Sequence, residues 1–285
     1  MKVGIKTMSG LGLELIVSLF NKAFEGYFIP IRFNEHTLAD KFRAENVMPG
    51  YSAIAYIDEI PAGFILTGIE NRGGVQHAYN AGTGVVAEHR GQGLTEQMYQ
   101  FMLDLLSKDG IKFHQLEVIT KNETARKVYE RVGFSIARKL LCLRSVIDPS
   151  PYKHHPGIIE LSAENIFSEQ LSFDAVPSWQ NSMEAVSRMK DQYRFLGIEK
   201  EGRAAGIMIF TPSSGRIKYL YVAKQWRRQG IGTALLNHAF ALSENNQLSF
   251  INLDESDKTS LAFLQKHGWE IFLEQYEMIM EIKTA

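Results

Sequence analysis

Val85-Val86-Ala87-Glu88-His89-Arg90-Gly91-Gln92-Gly93-Leu94-Thr95, closed further on by Tyr129-Glu130-Arg131-Val132-Gly133-Phe134, decides the reading of this chain because it occurs twice. The second copy runs Val222-Ala223-Lys224-Gln225-Trp226-Arg227-Arg228-Gln229-Gly230-Ile231-Gly232 and closes with Lys266-His267-Gly268-Trp269. A repeat of this length means that one structural unit has been duplicated. The offsets between matched landmarks are nearly constant. Gly93 matches Gly230 at 137, and Gly133-Phe134 match Gly268-Trp269 at 135, so two residues are lost between them, around Ser107 to His114. Upstream, Ala62-Gly63-Phe64-Ile65 matches Ala205-Gly206-Ile207-Met208 at 143, which places the six-residue difference in the polar run Glu70 to His77 and marks that run as a loop.

Composition agrees with two ordinary globular units. The 285 residues are 45% hydrophobic and 22% charged, enough for two cores of about 140 residues each without staples. One cysteine, Cys142, excludes an internal disulfide, and with ten methionines it suits a reducing cytoplasm. The apolar stretch Leu11 to Phe20 is too short to span a bilayer, so no membrane association is expected. Thirty-one basic against 32 acidic residues leave a formal charge of −1 and no basic footprint for nucleic acid. A small molecule or a peptide end is the partner to expect.

Taken in order, Leu11 to Phe24 and His36 to Ala44 have helical spacing, and the aromatic break Glu25 to Pro30 lies between them. Tyr51 to Ile57 and Ala62 to Ile69 form a hairpin, and His77 to Val86 is a third strand carrying Gly82 and Gly84. After the glycine loop come a helix striped by Leu94, Met98, Phe101, Met102 and Leu105, then the strand Gln115 to Ile119. A helix capped by Asn122 follows, and closing strands run from Ser135 to Val146. Three prolines between Asp148 and Gly157 set the boundary. Residues 1–147 form the first domain, 148–156 a linker and 157–285 the second. His154 and His155 in the linker lack companion ligands, and no metal is expected. The second half repeats the order, with a break at Val176-Pro177-Ser178-Trp179 and a helix capped by Asp257.

A glycine loop that leaves a strand and opens a helix is an anion site. Successive backbone N–H groups converge there, the helix dipole adds roughly half a positive charge, and glycine removes the Cβ that would block approach. The Lys and Ser/Thr of a nucleotide P-loop and the dinucleotide spacing are both missing. A pyrophosphate without catalytic magnesium is the better fit.

Arg90-Gly91-Gln92-Gly93-Leu94-Thr95 and Arg227 to Gly232 resemble the Arg/Gln-x-x-Gly-x-Gly/Ala signature of the GNAT superfamily of N-acetyltransferases. Asn122, Ala125, Tyr129, Gly133 and Phe134 resemble its downstream pattern. The resemblance spans nearly the whole chain. It implies two tandem α/β (α+β) domains, each a mixed, mostly antiparallel sheet with helices on both faces, and it implies acetyl-coenzyme A as co-substrate. The loops Arg90, Gly91, Gln92, Gly93, Leu94, Thr95 and Arg227, Arg228, Gln229, Gly230, Ile231, Gly232 would hold its pyrophosphate. Its pantetheine arm would lie along Val85 and Val86, or Tyr221 and Val222, with Gly82 and Gly84 permitting the splay and Asn122 nearby. Thr95, where the signature has a small residue, would crowd the pyrophosphate.

The first half is similar to the ribosomal-protein N-terminal acetyltransferase branch, whose members use a strand glutamate as base and a helix tyrosine as acid. Those roles fall on Glu117 and Tyr129. The second half has Asn252 and Leu264 at the matching positions, so it reads as a degenerate or supporting copy. Phe24, Tyr27, Phe28 and Trp179 lie where the family builds acceptor pockets. The acceptor would be a primary amine, either a small molecule or a peptide N-terminus. Two other readings stay open: catalysis in the second domain, as in tandem members resembling mycothiol synthase, and a non-catalytic coenzyme A sensor or scaffold.

Overall fold

The computed structural model describes residues 2–145, 157–168 and 174–283; the linker at 148–156, with His154 and His155, lies outside the described residues. The chain divides into one unit of Met1–Ala137 with Tyr276–Ala285 and another of Arg138–Gln275. This differs from the sequence boundaries at both ends. The last ten residues count with the first unit, and the residues from Arg138 onward with the second.

The first unit begins with β1 (Val3–Thr7), a strand the periodicity does not reveal. It continues through α1 (Leu13–Ala23), α2 (Glu35–Glu45), β2 (Ala53–Ile57), β3 (Ile60–Arg72), β4 (Val75–Val85), α3 (Leu94–Lys108), β5 (Phe113–Ile119) and α4 (Glu123–Val132), and enters β6 (Ser135–Ser145). β1 through β4 pair antiparallel in sequence order, while β4 and β5 are parallel. The run Ala62 to Gly68 is buried throughout because helices cover both faces of β3. On one face Phe64 stacks on Phe20 of α1, with centroids 5.1 Å apart; on the other, Met98 of α3 closes over Gly63. The expected loop Glu70 to His77 is instead the tip of a longer hairpin: Glu70 pairs with His77 and Arg72 with Val75, so the six extra residues lengthen two strands.

The second unit contains β7 (Ile159–Glu160), α5 (Ala163–Ser168), α6 (Met183–Arg188), β8 (Arg194–Lys200), β9 (Arg203–Thr211), β10 (Arg216–Val222), α7 (Ile231–Leu242), β11 (Ser249–Asp254) and α8 (Lys258–Lys266). It also holds the start of β12 (Trp269–Glu281). β8, β9 and β10 are antiparallel neighbours, and β10 and β11 are parallel. Beside β11 lies the later part of β6, with Leu143 opposite Phe250 and Leu141 opposite Leu253. The first copy's closing strand therefore serves the second unit.

The converse holds at the C-terminus. Met278 and Ile282 are 0% and 5% exposed within the first unit's core, against Leu116, Tyr129 and Phe134, and the Ile282 N–H donates to the Lys112 carbonyl at 2.8 Å. Among the described residues no helix is long and apolar enough to cross a membrane. Removing a fully buried methionine side chain typically costs about 2–5 kcal/mol. Met278→Ala should therefore weaken the first unit by that order, read in urea melts with hydrogen exchange reporting loss of protection at Leu116 and Tyr129. Unchanged protection there would place the last strand outside that core.

Candidate active site

β4 and β5 run side by side only from His77/Phe113 to Asn80/Leu116 and then part. The cause lies in β4, where Leu66 faces Gly82 but Thr67 faces Asn80, leaving Ala81 as an extra, bulged residue. The second unit repeats the device. Lys218 is the extra residue of β10 against β9, and the β10/β11 pairing ends at Ile217/Phe250. Beyond each parting, the backbone edge of β4 or β10 leads straight into a glycine loop.

Gly82 and Gly84 serve a different purpose from the one expected. A Cβ on Gly84 would lie 2.8 Å from both Ala23 and Phe64, and one on Gly82 would lie 3.4 Å from Phe20. Gly84 thus seats α1, whereas a Cβ on Gly82 would make ordinary contact; the bulge makes the splay.

Both loops share one construction. Gly93 and Gly230, the N-caps of α3 and α7, are left-handed with φ of 71° and 81°, offer no side-chain cap, and would direct a Cβ into open space. The first-turn N–H groups of an uncapped helix have no intrahelical partner. They face outward as a cradle. The two signature arginines brace the loop. Arg90 Nε donates to the Val85 carbonyl at 3.0 Å and its Nη2 to Ala23 at 2.8 Å, while Arg227 Nε donates to Val222 at 2.9 Å and its Nη1 pairs with Asp174 at 2.7 Å. Gly91 has φ 75°, and Arg228 at the matching position is left-handed as well, at 65°. A Cβ on Gly232 would lie 3.0 Å from the Phe263 ring, so this position sets the fit of α7 against α8. Thr95, its counterpart, is thus a question of helix packing.

In the first unit four polar side chains gather under the bulge. Asn80 Nδ2 donates to Thr83 Oγ1 at 2.7 Å and to Tyr99 Oη at 2.6 Å, and Asn80 Oδ1 accepts from the Gly82 N–H at 2.9 Å. Tyr129 lies beside the same group, where Thr83 and Asn80 pull its pKa down against the larger effect of burial. Burial pushes Tyr129 up to about 12 and raises Tyr99 well above its ordinary value, so both hydroxyls keep their protons at neutral pH. Asn122 caps α4 by accepting from the Ala125 N–H at 3.1 Å, and its Nδ2 points at Tyr27 Oη at 3.4 Å. Asp257 caps α8 in the same way at 2.9 Å.

Glu117 sits one residue past the parting. Tyr79 Oη donates to its Oε2, while Oε1 is sealed and has no hydrogen-bond partner. Burial, with the Glu277 carboxylate next in weight, pushes its pKa up to about 8, against the pull of the Tyr79 hydrogen bond. The sequence marks Glu117 and Tyr129 but misses Asn80, Thr83, Tyr99, Tyr79 and Glu277. Three of these are visible in the register of the repeat, where Asn80, Thr83 and Tyr99 fall on Ile217, Leu220 and Leu236.

Tyr27 is half-buried, Phe24 stacks on Phe20 at 4.4 Å, and Phe28 is 56% exposed. Trp179 is fully buried, is not among the residues lining the cavity of the second unit, and belongs to the buried interior. That unit holds a cavity of about 740 Å³ lined by Tyr221, Val222, Arg228, Gly230, Phe250 and Asn252, among others. Asn252, the counterpart of Glu117, is left-handed at φ 61°, and its Oδ1 accepts from Gln275 at 2.5 Å. Among the described residues no group of three or more His, Cys, Asp or Glu is set to hold a metal.

Comparison with known proteins places these features. The model of the Acetyltransferase (GNAT) family matches residues 13–134 and again 161–269. A tandem GNAT protein from the clavulanic acid biosynthesis pathway is similar over 100% of both chains, at 12% identity and a TM-score of 0.75. A GCN5-related N-acetyltransferase from Sphaerobacter thermophilus is similar over 99% of this chain and 96% of its own, at 16% identity and a TM-score of 0.72. At these identities the likeness is one of fold. The N-alpha-acetyltransferase 30 of Schizosaccharomyces pombe is 36% identical over 70 residues, which are 25% of this chain and 47% of that relative, so the match spans about half of the relative's length.

The shifted Glu117 has a consequence for stability. Its folded pKa lies above the ordinary carboxylate value near 4.3, so folding takes up a proton. The stability this contributes is full below that value and is lost as the pH rises through about 8. Glu117→Gln keeps the shape and the Tyr79 hydrogen bond without the charge. Relative to the parent, the variant should gain about 1 kcal/mol or more between pH 5 and pH 9, read as a widening difference in Tm. A difference that stays flat would mean that Glu117 titrates as an ordinary carboxylate.

Proposed function

The chain belongs to the GNAT acetyltransferase family, both of its halves matching the family model, and from that we propose that it is an N-acetyltransferase whose chemistry lies in the first unit. The observation that carries this assignment is the contrast between the two partings. Asn80, Thr83, Tyr99, Glu117 and Tyr129 in the first correspond to Ile217, Leu220, Leu236, Asn252 and Leu264 in the second. Leu236 and Leu264 are 5% and 0% exposed and pack with Ile217 in an aliphatic core. The second unit has no proton-handling group at these positions.

Acetyl-coenzyme A would supply the activated acetyl group as a thioester. The residues fit it: each loop offers uncapped N–H groups around an open cradle, and the edge of β4 beyond Asn80 is unpaired toward β5. The acceptor is a primary amine. The resemblance of part of the chain to an N-alpha-acetyltransferase favours a peptide N-terminus.

Glu117 takes the first proton from the ammonium at Oε1, its oxygen without a hydrogen-bond partner. With a pKa near 8 it is a stronger base than an ordinary carboxylate and is matched to an amine that titrates in the same range. The amine nitrogen then attacks the thioester carbonyl carbon, the C–N bond forms and the C–S bond breaks. Tyr129, protonated at neutral pH beside Thr83 and Asn80, gives its proton to the departing sulfur and recovers one from the nitrogen. One proton is released overall. The second loop and its 740 Å³ cavity favour a supporting role for the second unit as a further coenzyme A binder.

A positioned acid or base contributes about 10²-fold to 10⁴-fold. Tyr129→Phe should therefore lower kcat for acetyl transfer to peptide N-termini at least 10²-fold while acetyl-coenzyme A binding stays near normal by calorimetry. Full activity in Tyr129→Phe would move the chemistry elsewhere, and binding without turnover on peptides and alkylamines would favour a sensor. For the loops, Gly93→Asp and Gly93→Asn form a matched pair, since both residues tolerate a left-handed backbone and only one carries charge. The aspartate should weaken binding at least tenfold more than the asparagine. Equal affinities would remove the pyrophosphate from this loop.

A further inference from the structure

We propose that the cavity of the second unit is a carboxamide site, in which Asn252 and Asn181 present one hydrogen-bond donor and one acceptor to an uncharged amide and bind it without chemistry. The inference goes beyond acetyl transfer and does not depend on where that reaction takes place.

A bulge in β11 sets the donor. Phe250 lies opposite Leu143 and Leu253 opposite Leu141, so Ile251 and Asn252 together face the single residue Cys142 of β6. Asn252 takes the left-handed conformation there, at φ 61°. Its Oδ1 accepts from Gln275 Nε2 at 2.5 Å and from Cys142 Sγ at 3.7 Å, which fixes the amide plane. The other end, Nδ2, carries two N–H donors. It has no hydrogen-bond partner among the described residues and is not sealed from solvent. Asn252 is 4% exposed and lines the 740 Å³ cavity, so its free donors open there.

The acceptor stands one peptide bond away. Asn181 Nδ2 donates at 2.7 Å to the Ile251 carbonyl, which belongs to the peptide bond leading into Asn252. With that end committed, Asn181 Oδ1 is left as a buried acceptor with no hydrogen-bond partner. Asn181 is 3% exposed and lines the same cavity. Buried polar groups without partners are costly, and these two are complementary halves of one request. A carboxamide answers both, with its carbonyl to Asn252 and its N–H to Asn181. An ammonium has no acceptor for Asn252, and an ester has no donor for Asn181.

The rest of the wall suits an uncharged ligand. Leu220, Val222 and Phe250 supply apolar surface. Asp254 is paired with Arg138 at 2.9 Å and Asp174 with Arg227 at 2.7 Å, while Lys218 Nζ donates to the Gln180 carbonyl at 2.9 Å. Neither asparagine gains or loses a proton, so the pair recognises and does not catalyse. Two sources carry this chemistry: an N-acylated amine, which is the kind of compound acetyl transfer yields, and the pantetheine arm of coenzyme A.

The test is an NMR titration of the side-chain amides of asparagine-labelled full-length protein. The probes are N-propylacetamide, propyl acetate, which keeps the carbonyl and lacks the N–H, and propylammonium. In the parent chain N-propylacetamide should shift both Asn181 and Asn252 and bind about tenfold or more tightly than the ester, and propylammonium should shift neither. A pantetheine arm separates the sources: tighter binding than N-propylacetamide assigns the site to the cofactor arm, and weaker binding assigns it to an N-acylated amine. Asn252→Asp keeps the side-chain size, an oxygen for Gln275 and a residue that tolerates the left-handed backbone. It should weaken N-propylacetamide about tenfold or more, because the donor becomes an acceptor. The inference is overturned if amide and ester bind alike in the parent chain, if saturating amide leaves both asparagines unmoved, or if a folded Asn252→Asp binds the amide as the parent does. The parent-chain comparison holds whether or not the variant folds.

Discussion

One extra residue in a strand sets the geometry on which the first unit's site depends. The bulge at Ala81 ends the parallel pairing of β4 with β5 at Asn80/Leu116. Without it the two strands would continue side by side and no edge would be open to an extended ligand. With it, Asn80 and Thr83 turn toward Tyr99, Tyr129 joins them from α4, and Glu117 is left beside the opening with one oxygen unpartnered. A buried polar group of this kind is costly unless satisfied. Here Asn80 links Thr83 and Tyr99, and Glu117 Oε1 is left without a hydrogen-bond partner.

Duplication explains the likeness of the two units. The second copy keeps the bulge at Lys218, the braced glycine loop and the helix cap at Asp257. It has replaced the polar cluster with aliphatic side chains packed into its core. The second copy thus keeps the scaffold without the polar cluster. The exchange of closing strands adds a constraint that a simple tandem would lack: the first unit takes Met278, Ile282 and Glu277 from the end of the chain.

Much of this was legible in the sequence because it depends on local patterning. The repeat, the glycine loops, the helix stripes and the caps at Asn122 and Asp257 all arise from residues close together in the chain. The family and the tandem α/β architecture followed from them. The hairpin at Glu70 to His77 reads as a loop because polar residues on an extended hairpin tip have the composition of a loop. Gly84 reads as permitting the splay because the helix that needs its missing side chain, α1, lies far away in sequence. Arg90 and Arg227 carry the charge an anion site calls for, yet their guanidinium groups are spent on strand-end carbonyls, which only the folded loop reveals. Glu277 was hidden for a topological reason, since no local rule says that the final strand of the second copy completes the first.

The central claim is that acetyl transfer takes place at the parting in the first unit. It is tested most directly by a crystal structure of the full chain with a bisubstrate analogue in which coenzyme A is joined through an acetyl bridge to a peptide amine. The account predicts the analogue's sulfur within about 3.5 Å of Tyr129 Oη and its amine nitrogen within hydrogen-bond reach of Glu117 Oε1, at about 3 Å. An analogue bound only in the second unit's cavity, with Tyr129 and Glu117 untouched, would contradict it.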